Sequence, residues 1–182
     1  MRNSISGCEA SAIVVEEGDD GEDSTGNNVE SNRVTDSELG IELISVTDNT
    51  VVGNNISDCR GSGIYLDNAP YNVIEGNKVS TSGVNGISFV DSGYVEIISN
   101  QVSNCGGKGV WGARVNDSHI MNNEVYRCED GIILRNATAD VIPSNQIIGN
   151  HVMHSGDTGI GLTGDSSDNL VEGNHVGDSG VV

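Results

Sequence analysis

The chain has one tryptophan, Trp111, and three of its eight Lys and Arg residues, Lys108, Arg114 and Arg135, fall near it in the repeat described below. An aromatic face can stack on a sugar ring, and cations can hold the carboxylates of an acidic polysaccharide. Tyr65, Asp67 and Asp130 join the group, with Tyr65 two repeats from Trp111, about 9–10 Å by strand spacing. The plainer alternative is a lone surface aromatic among ordinary ion pairs.

Two other groups have the chemistry to take metals. His151 and His175 each follow a repeated asparagine, so they should stack in adjacent repeats with His154 one bend away. Imidazoles so placed suit Cu²⁺ or Zn²⁺. The run from Glu16 to Gly26 carries six acids, and Asp19, Asp20, Glu22 and Asp23 could hold Ca²⁺ through carboxylate oxygens. It lacks the alternating spacing of an EF-hand loop, and a solvated charge run is the competing reading. The four cysteines, Cys8, Cys59, Cys105 and Cys128, share a repeat position that Ser37, Ser82, Ser155 and Ser179 fill elsewhere. A small buried filler fits that exchange. Side chains stacked in register are badly placed for a disulfide, so four free thiols are expected, neither metal ligands nor nucleophiles.

What positions these residues is a repeat. Asn-x-Ile-x-x-Asn-x-Val, a glycine-rich bend and Gly-Ile-x-Leu recur along the chain. The second asparagine falls at Asn32, Asn54, Asn77, Asn100, Asn123, Asn150 and Asn174, in steps of 22, 23, 23, 23, 27 and 24 residues. A fixed period of this size marks a solenoid. Apolar residues at i and i+2, as in Ile64 and Leu66, have strand periodicity. The Asn, Gly, Ser and Asp that crowd each repeat argue against helices. The reading is all-β: a right-handed parallel β-helix of about seven rungs, roughly 23 residues each, with three short strands per rung and residues 1–182 as one domain. Four interior columns follow, led by Ile41, Leu43, Val51 and Val34. The asparagines are expected to sit at a bend, to take its unusual backbone angles and to link their amides into a ladder.

The Asn-x-Ile-x-x-Asn-x-Ile plus Gly-Ile-x-Leu unit resembles the repeat of the right-handed parallel β-helix, or pectin-lyase-like, superfamily over essentially the whole chain. That resemblance implies an exported protein and admits polyuronate lyases and mannuronan-type epimerases among its relatives, whose chemistry needs a base for the C5 proton, an acid on the opposite face and neutralisation of the sugar carboxylate, a set that Lys108, Arg114, Arg135, Asp130 and Tyr65 could supply. One related family is described as periplasmic copper-binding. The Asp-Pro-His-type motif of the epimerases and the paired aspartates of the polygalacturonases do not occur in this sequence.

Asp and Glu number 27 against 8 Lys and Arg, a net charge of −19, which opposes binding to nucleic acid or an anionic membrane. Only Lys78 and Lys108 are lysines, and the acidic, lysine-poor composition resembles proteins of salt-loving archaea. No apolar run is long enough to span a membrane. A second insertion, 135–144, lies at the same corner as the acidic loop 16–26. Its Val141, Ile142 and Pro143 are expected to fold over an outward apolar stripe of Ile98, Met121 and Ile148. The chain stops in mid-rung at Gly180, so it reads as a fragment whose uncapped ends allow end-to-end association. The leading expectation is a β-helix module that binds carbohydrate along a lateral face. A polyuronate-modifying enzyme lacking part of its chain, and a structural spacer, are the alternatives.

Overall fold

A computed structural model describes residues 3–18, 24–137 and 145–179. Among them there is no helix, and every strand pairs in parallel with its counterpart one repeat away. Three sheets of eight, seven and seven strands wrap a β-solenoid of about six turns, close to the seven rungs expected. One rung shows the plan: Asn55–Cys59 lies in the first sheet, Ile64–Asp67 in the second and Val73–Glu75 in the third.

The register is the one the spacing predicts. Ile41, Ile64, Ile87, Val110, Ile132 and Ile160 pair in order, as do Leu43, Leu66, Phe89, Gly112, Leu134 and Leu162. The third-sheet column from Val51 to Val171 and the first-sheet column from Val34 to Val176 are likewise continuous. The columns are fully buried through the middle turns, whereas Leu162, Val171 and Val176 of the last turn are exposed. Gly112 interrupts its column for a steric reason. A Cβ there would lie 2.6 Å from Phe89 Cζ, so the missing side chain makes room for the largest buried one.

The asparagine ladder forms as expected, but one detail differs. Each ladder residue's backbone N–H and Nδ2 both donate to Oδ1 of the asparagine one turn later, from Asn32 to Asn174. The left-handed backbone, however, belongs to the residue before it: Ser31, Gly53, Gly76, Ser99, Asn122, Gly149 and Gly173 all have φ between 55° and 66°. That residue makes the turn and aims the asparagine inward. A second, broken ladder runs one corner earlier. Asn27 donates to Asn49 and Asn49 to Asn72, and the line resumes through Ser118, Asn145 and Asn169.

The Cys and Ser column also forms, with Cys8 beside Ser37 and Cys59 beside Ser82, and all four thiols are free. A left-handed residue precedes each of them (Asp58, Asn104 and Arg127, for example) and turns the sulfur toward the interior. Burial pushes the Cys59 thiol up to about 11. Cys105 is held protonated by its hydrogen bond to Cys128 and by burial, while the same contact lowers Cys128. The raised Cys59 value favours the folded state fully below about pH 9, and that contribution is lost as the pH rises toward 11. At pH 8, Ellman's reagent should therefore react promptly with at most the half-buried Cys8, and with all four thiols once guanidinium unfolds the chain.

The described strands flanking the two insertions belong to the second and third sheets, Ile13–Glu16 preceding Asn28–Glu30 and Asp130–Arg135 preceding Gln146–Ile148. The stripe of Ile98, Met121 and Ile148 stacks in register and is half-buried. Val141, Ile142 and Pro143, expected to cover it, lie outside the described residues.

Candidate functional site

Alternation along the second sheet puts Glu42, Tyr65, Ser88, Trp111, Ile133 and Gly161 on its outer face, one per turn. Trp111 rises beside Ser88, whose own side chain is buried, so the indole stands above a low neighbour. Lys108, three residues earlier on the same strand, places Nζ 5.4 Å from the Trp111 ring centroid and 3.2 Å from Asp130 Oδ2 of the next turn. The other Asp130 oxygen accepts the Thr158 backbone N–H at 2.9 Å. The Lys108 backbone N–H donates to Asn85 Oδ1, and Asn85 Nδ2 donates to Ser88 Oγ. Ion pair, indole and supporting amide are thus fixed by three consecutive turns.

Asn85, Lys108, Trp111 and Asp130 line a cleft of about 900 Å³ that also takes in Ile133, Arg135, Asp157 and Thr158. Arg135 is exposed and makes no ion pair among the described residues. Glu129 and Asp157 add carboxylates to the rim. The cleft offers a stacking surface, an ordered Lys–Asp pair for hydroxyl groups and one guanidinium for a carboxylate.

The remaining predicted residues form a separate group. Arg114 does not join Lys108 and Arg135 in a basic cluster, because its Nε and Nη2 both bind the Asp91 carboxylate at 2.6 Å. That contact holds Asp91 below the usual carboxylate range and raises Arg114. Tyr65 and Asp67 lie beside this pair, outside the cleft lining. Burial, then Asp67 and Glu42, push the Tyr65 phenol up, which suits it to donate a hydrogen bond and not to abstract a proton.

Sequence spacing missed two tyrosines. Tyr71 and Tyr94 stack with ring centroids 4.7 Å apart and planes 8° from parallel, and both are exposed. Each has a left-handed backbone, φ 59° and 55°, at the corner after the second sheet. Their separation of one repeat was the available signal, but turn positions carry no strand alternation to draw attention to them.

The histidines pack as expected in part. His151 and His175 are register partners with ring centroids 4.9 Å apart. His154 turns instead to the edge of Tyr126 and to Asp178, 3.7 Å away. Among the described residues no three His, Cys, Asp or Glu side chains gather as a metal cluster. Asp19, Asp20, Glu22 and Asp23 lie outside those residues. No helix of the described residues is long and apolar enough to cross a membrane.

Solved structures share the fold at low identity. The periplasmic alginate epimerase AlgG, as a double mutant, is 16% identical with a TM-score of 0.62 over 98% of this chain and 38% of its own. The A-module of a mannuronan C-5 epimerase from Azotobacter vinelandii is 11% identical with a TM-score of 0.64, over 95% of this chain and 56% of its own. The enzymatically active domain of tailspike protein 2 from bacteriophage CBA120 is 16% identical with a TM-score of 0.61, over 95% and 26%. This chain therefore spans between about a quarter and just over half of each. Among curated proteins no sequence matches. The family model described as periplasmic copper-binding protein (NosD) matches residues 1–180, and the chain belongs to that family.

Proposed function

We propose that the chain is a β-solenoid module that binds carbohydrate in the cleft of Trp111, Lys108, Asp130 and Arg135. The observation that carries this reading is the placement of Lys108 over the sole tryptophan and against Asp130, within a cleft of about 900 Å³. That size is ordinary for a ligand site. The three structural neighbours are polysaccharide epimerases and a tailspike enzyme domain, which supports a carbohydrate role for the scaffold. With Arg114 neutralised by Asp91, one guanidinium remains for a uronate carboxylate, so a sugar chain of mixed charge fits better than a densely anionic one. An exported setting, periplasmic or extracellular, agrees with the family description and with AlgG. The acidic, lysine-poor surface suits high salt.

Affinity electrophoresis in gels containing alginate, pectate or a neutral glucan tests the reading. Retardation by at least one of these is expected, and Trp111→Ala should weaken it by about tenfold, equivalent to about 1.4 kcal/mol. Arg135→Ala should weaken uronate binding and leave neutral-sugar binding unchanged. Mobility identical in every gel would leave the spacer reading standing.

A second reading follows from the family description, namely that this chain binds copper. The observation favouring it is the pair of adjacent imidazoles, His151 and His175, meeting edge to face on the first sheet.

A further inference from the structure

We propose that His151, His175 and Met153 together hold one cuprous ion over Gly177, an inference that rests on the copper reading and supplies its ligands. His151 and Met153 are two residues apart on the strand His151–Met153, so both face outward from the first sheet. In the next turn His175 lies beside His151, and Gly177 lies beside Met153. A glycine at that position leaves an open floor. A Cβ built on Gly177 would fall 2.8 Å from Met153 Sδ, 3.0 Å from Met153 Cε and 3.8 Å from His175 Nε2. The thioether sulfur and an imidazole nitrogen therefore border one small space, which any side chain at 177 would fill. The His151 ring stands 4.9 Å from that of His175 and inclined to it by 67°, on the side facing the preceding turn.

This combination occurs once along the sheet. The column of His151 and His175 is Arg33, Asn55, Lys78, Gln101 and Glu124 in the turns before. The column of Met153 and Gly177 is Thr35, Ser57, Ser80, Ser103 and Tyr126. Two imidazoles, one thioether and a bare backbone floor thus coincide in two adjacent turns. A thioether is a soft donor that favours Cu(I), and imidazole suits copper in either oxidation state. Zn²⁺ prefers imidazole with thiolate or carboxylate, and the thioether adds little to its binding. His154, engaged by Tyr126 and Asp178, takes no part. These residues lie on the first sheet, whereas Trp111 and Lys108 of the sugar cleft lie on the second.

The test is anaerobic titration of the reduced chain with Cu(I) against a chromophoric chelator, alongside the NMR signal of the Met153 ε-methyl group. The wild type should bind one ion that His175→Ala loses, in addition to any held by thiols. Met153→Leu and Gly177→Val should each weaken that ion by at least tenfold with unchanged circular dichroism, and Gly177→Val does so with both histidines and Met153 still present. The ε-methyl resonance should move on adding Cu(I) to the wild type and stay fixed in Gly177→Val. If the wild type binds no ion beyond those held by thiols, the copper reading fails, and if it binds one that His175→Ala keeps, the proposed ligand set is overturned. If the His175-dependent ion persists undiminished in Met153→Leu and Gly177→Val, copper binding stands and the proposed ligand set is overturned.

Discussion

Replacing Asn100 by alanine is expected to lower the unfolding free energy by about 3–5 kcal/mol, read as a fall in the urea midpoint at unchanged slope. Asn100 is fully buried at the middle of the ladder. Its Oδ1 accepts both the backbone N–H and Nδ2 of Asn77, at 2.9 and 3.0 Å. Its Nδ2 donates to the Ile74 carbonyl at 2.8 Å and to Asn123 Oδ1 at 3.0 Å. Alanine removes all four bonds and leaves the Asn77 N–H and the Ile74 carbonyl buried without these partners. Each such orphan costs about 1–3 kcal/mol. Asn55→Ala, one residue beyond the ladder and exposed on the first sheet, should change stability by no more than about 0.5 kcal/mol. Equal effects from the two variants would mean that the ladder adds nothing beyond its surroundings.

Gly86→Ala should cost about 3 kcal/mol by the same measurement, for a steric reason. Gly86 immediately precedes the second-sheet strand Ile87–Val90 and has no left-handed backbone angle, so an alanine could adopt its conformation freely. The obstacle is the neighbouring turn. A Cβ would lie 2.7 Å from the Gly109 carbonyl oxygen and 3.1 Å from Cys105 Sγ, and it would collide with Val102 Cγ1. Because the Gly109 oxygen is backbone held in the parallel ladder, relief requires two whole turns to separate. Gly112→Ala provides the contrast, since its added methyl meets the side chains of Phe89 and Leu134 and no backbone atom of a neighbouring turn is among its nearest contacts. A smaller loss for Gly86→Ala than for Gly112→Ala would contradict a coil whose turns are in contact through their backbones.

Periodicity carried most of the scaffold. Ile41 to Ile160 could be aligned as one column because strand alternation and a 23-residue step leave a buried side chain one place to go. Asn32 to Asn174 could be aligned for the same reason. The second ladder was harder to see because Val95 breaks it and Ser118 stands where the pattern has asparagine. Among the outward residues, Lys108, Trp111, Asp130 and Arg135 came together as grouped, whereas others found different partners. Arg114 follows the strand Lys108–Ala113, and a left-handed backbone at φ 54° and the carboxylate of Asp91 one turn back draw it away from the cleft. His154 was grouped with His151 by proximity in sequence, but the left-handed kink at its own position separates it. Met153 and Gly177 carry no motif and become a pair only when the register is known. On the solvent side, partner choice depends on side-chain direction and local kinks, which a repeat period does not encode.

The chain has a single tryptophan, so its emission reports on the proposed sugar cleft alone. Titration with oligomers of mannuronate, galacturonate and glucose, in a series of increasing length, measures occupancy of that cleft in the unmodified protein. The account predicts a saturable change in Trp111 emission with at least one series, half-complete below about 1 mM and weakened by Lys108→Ala. Emission that stays constant with every oligomer up to about 10 mM would contradict it.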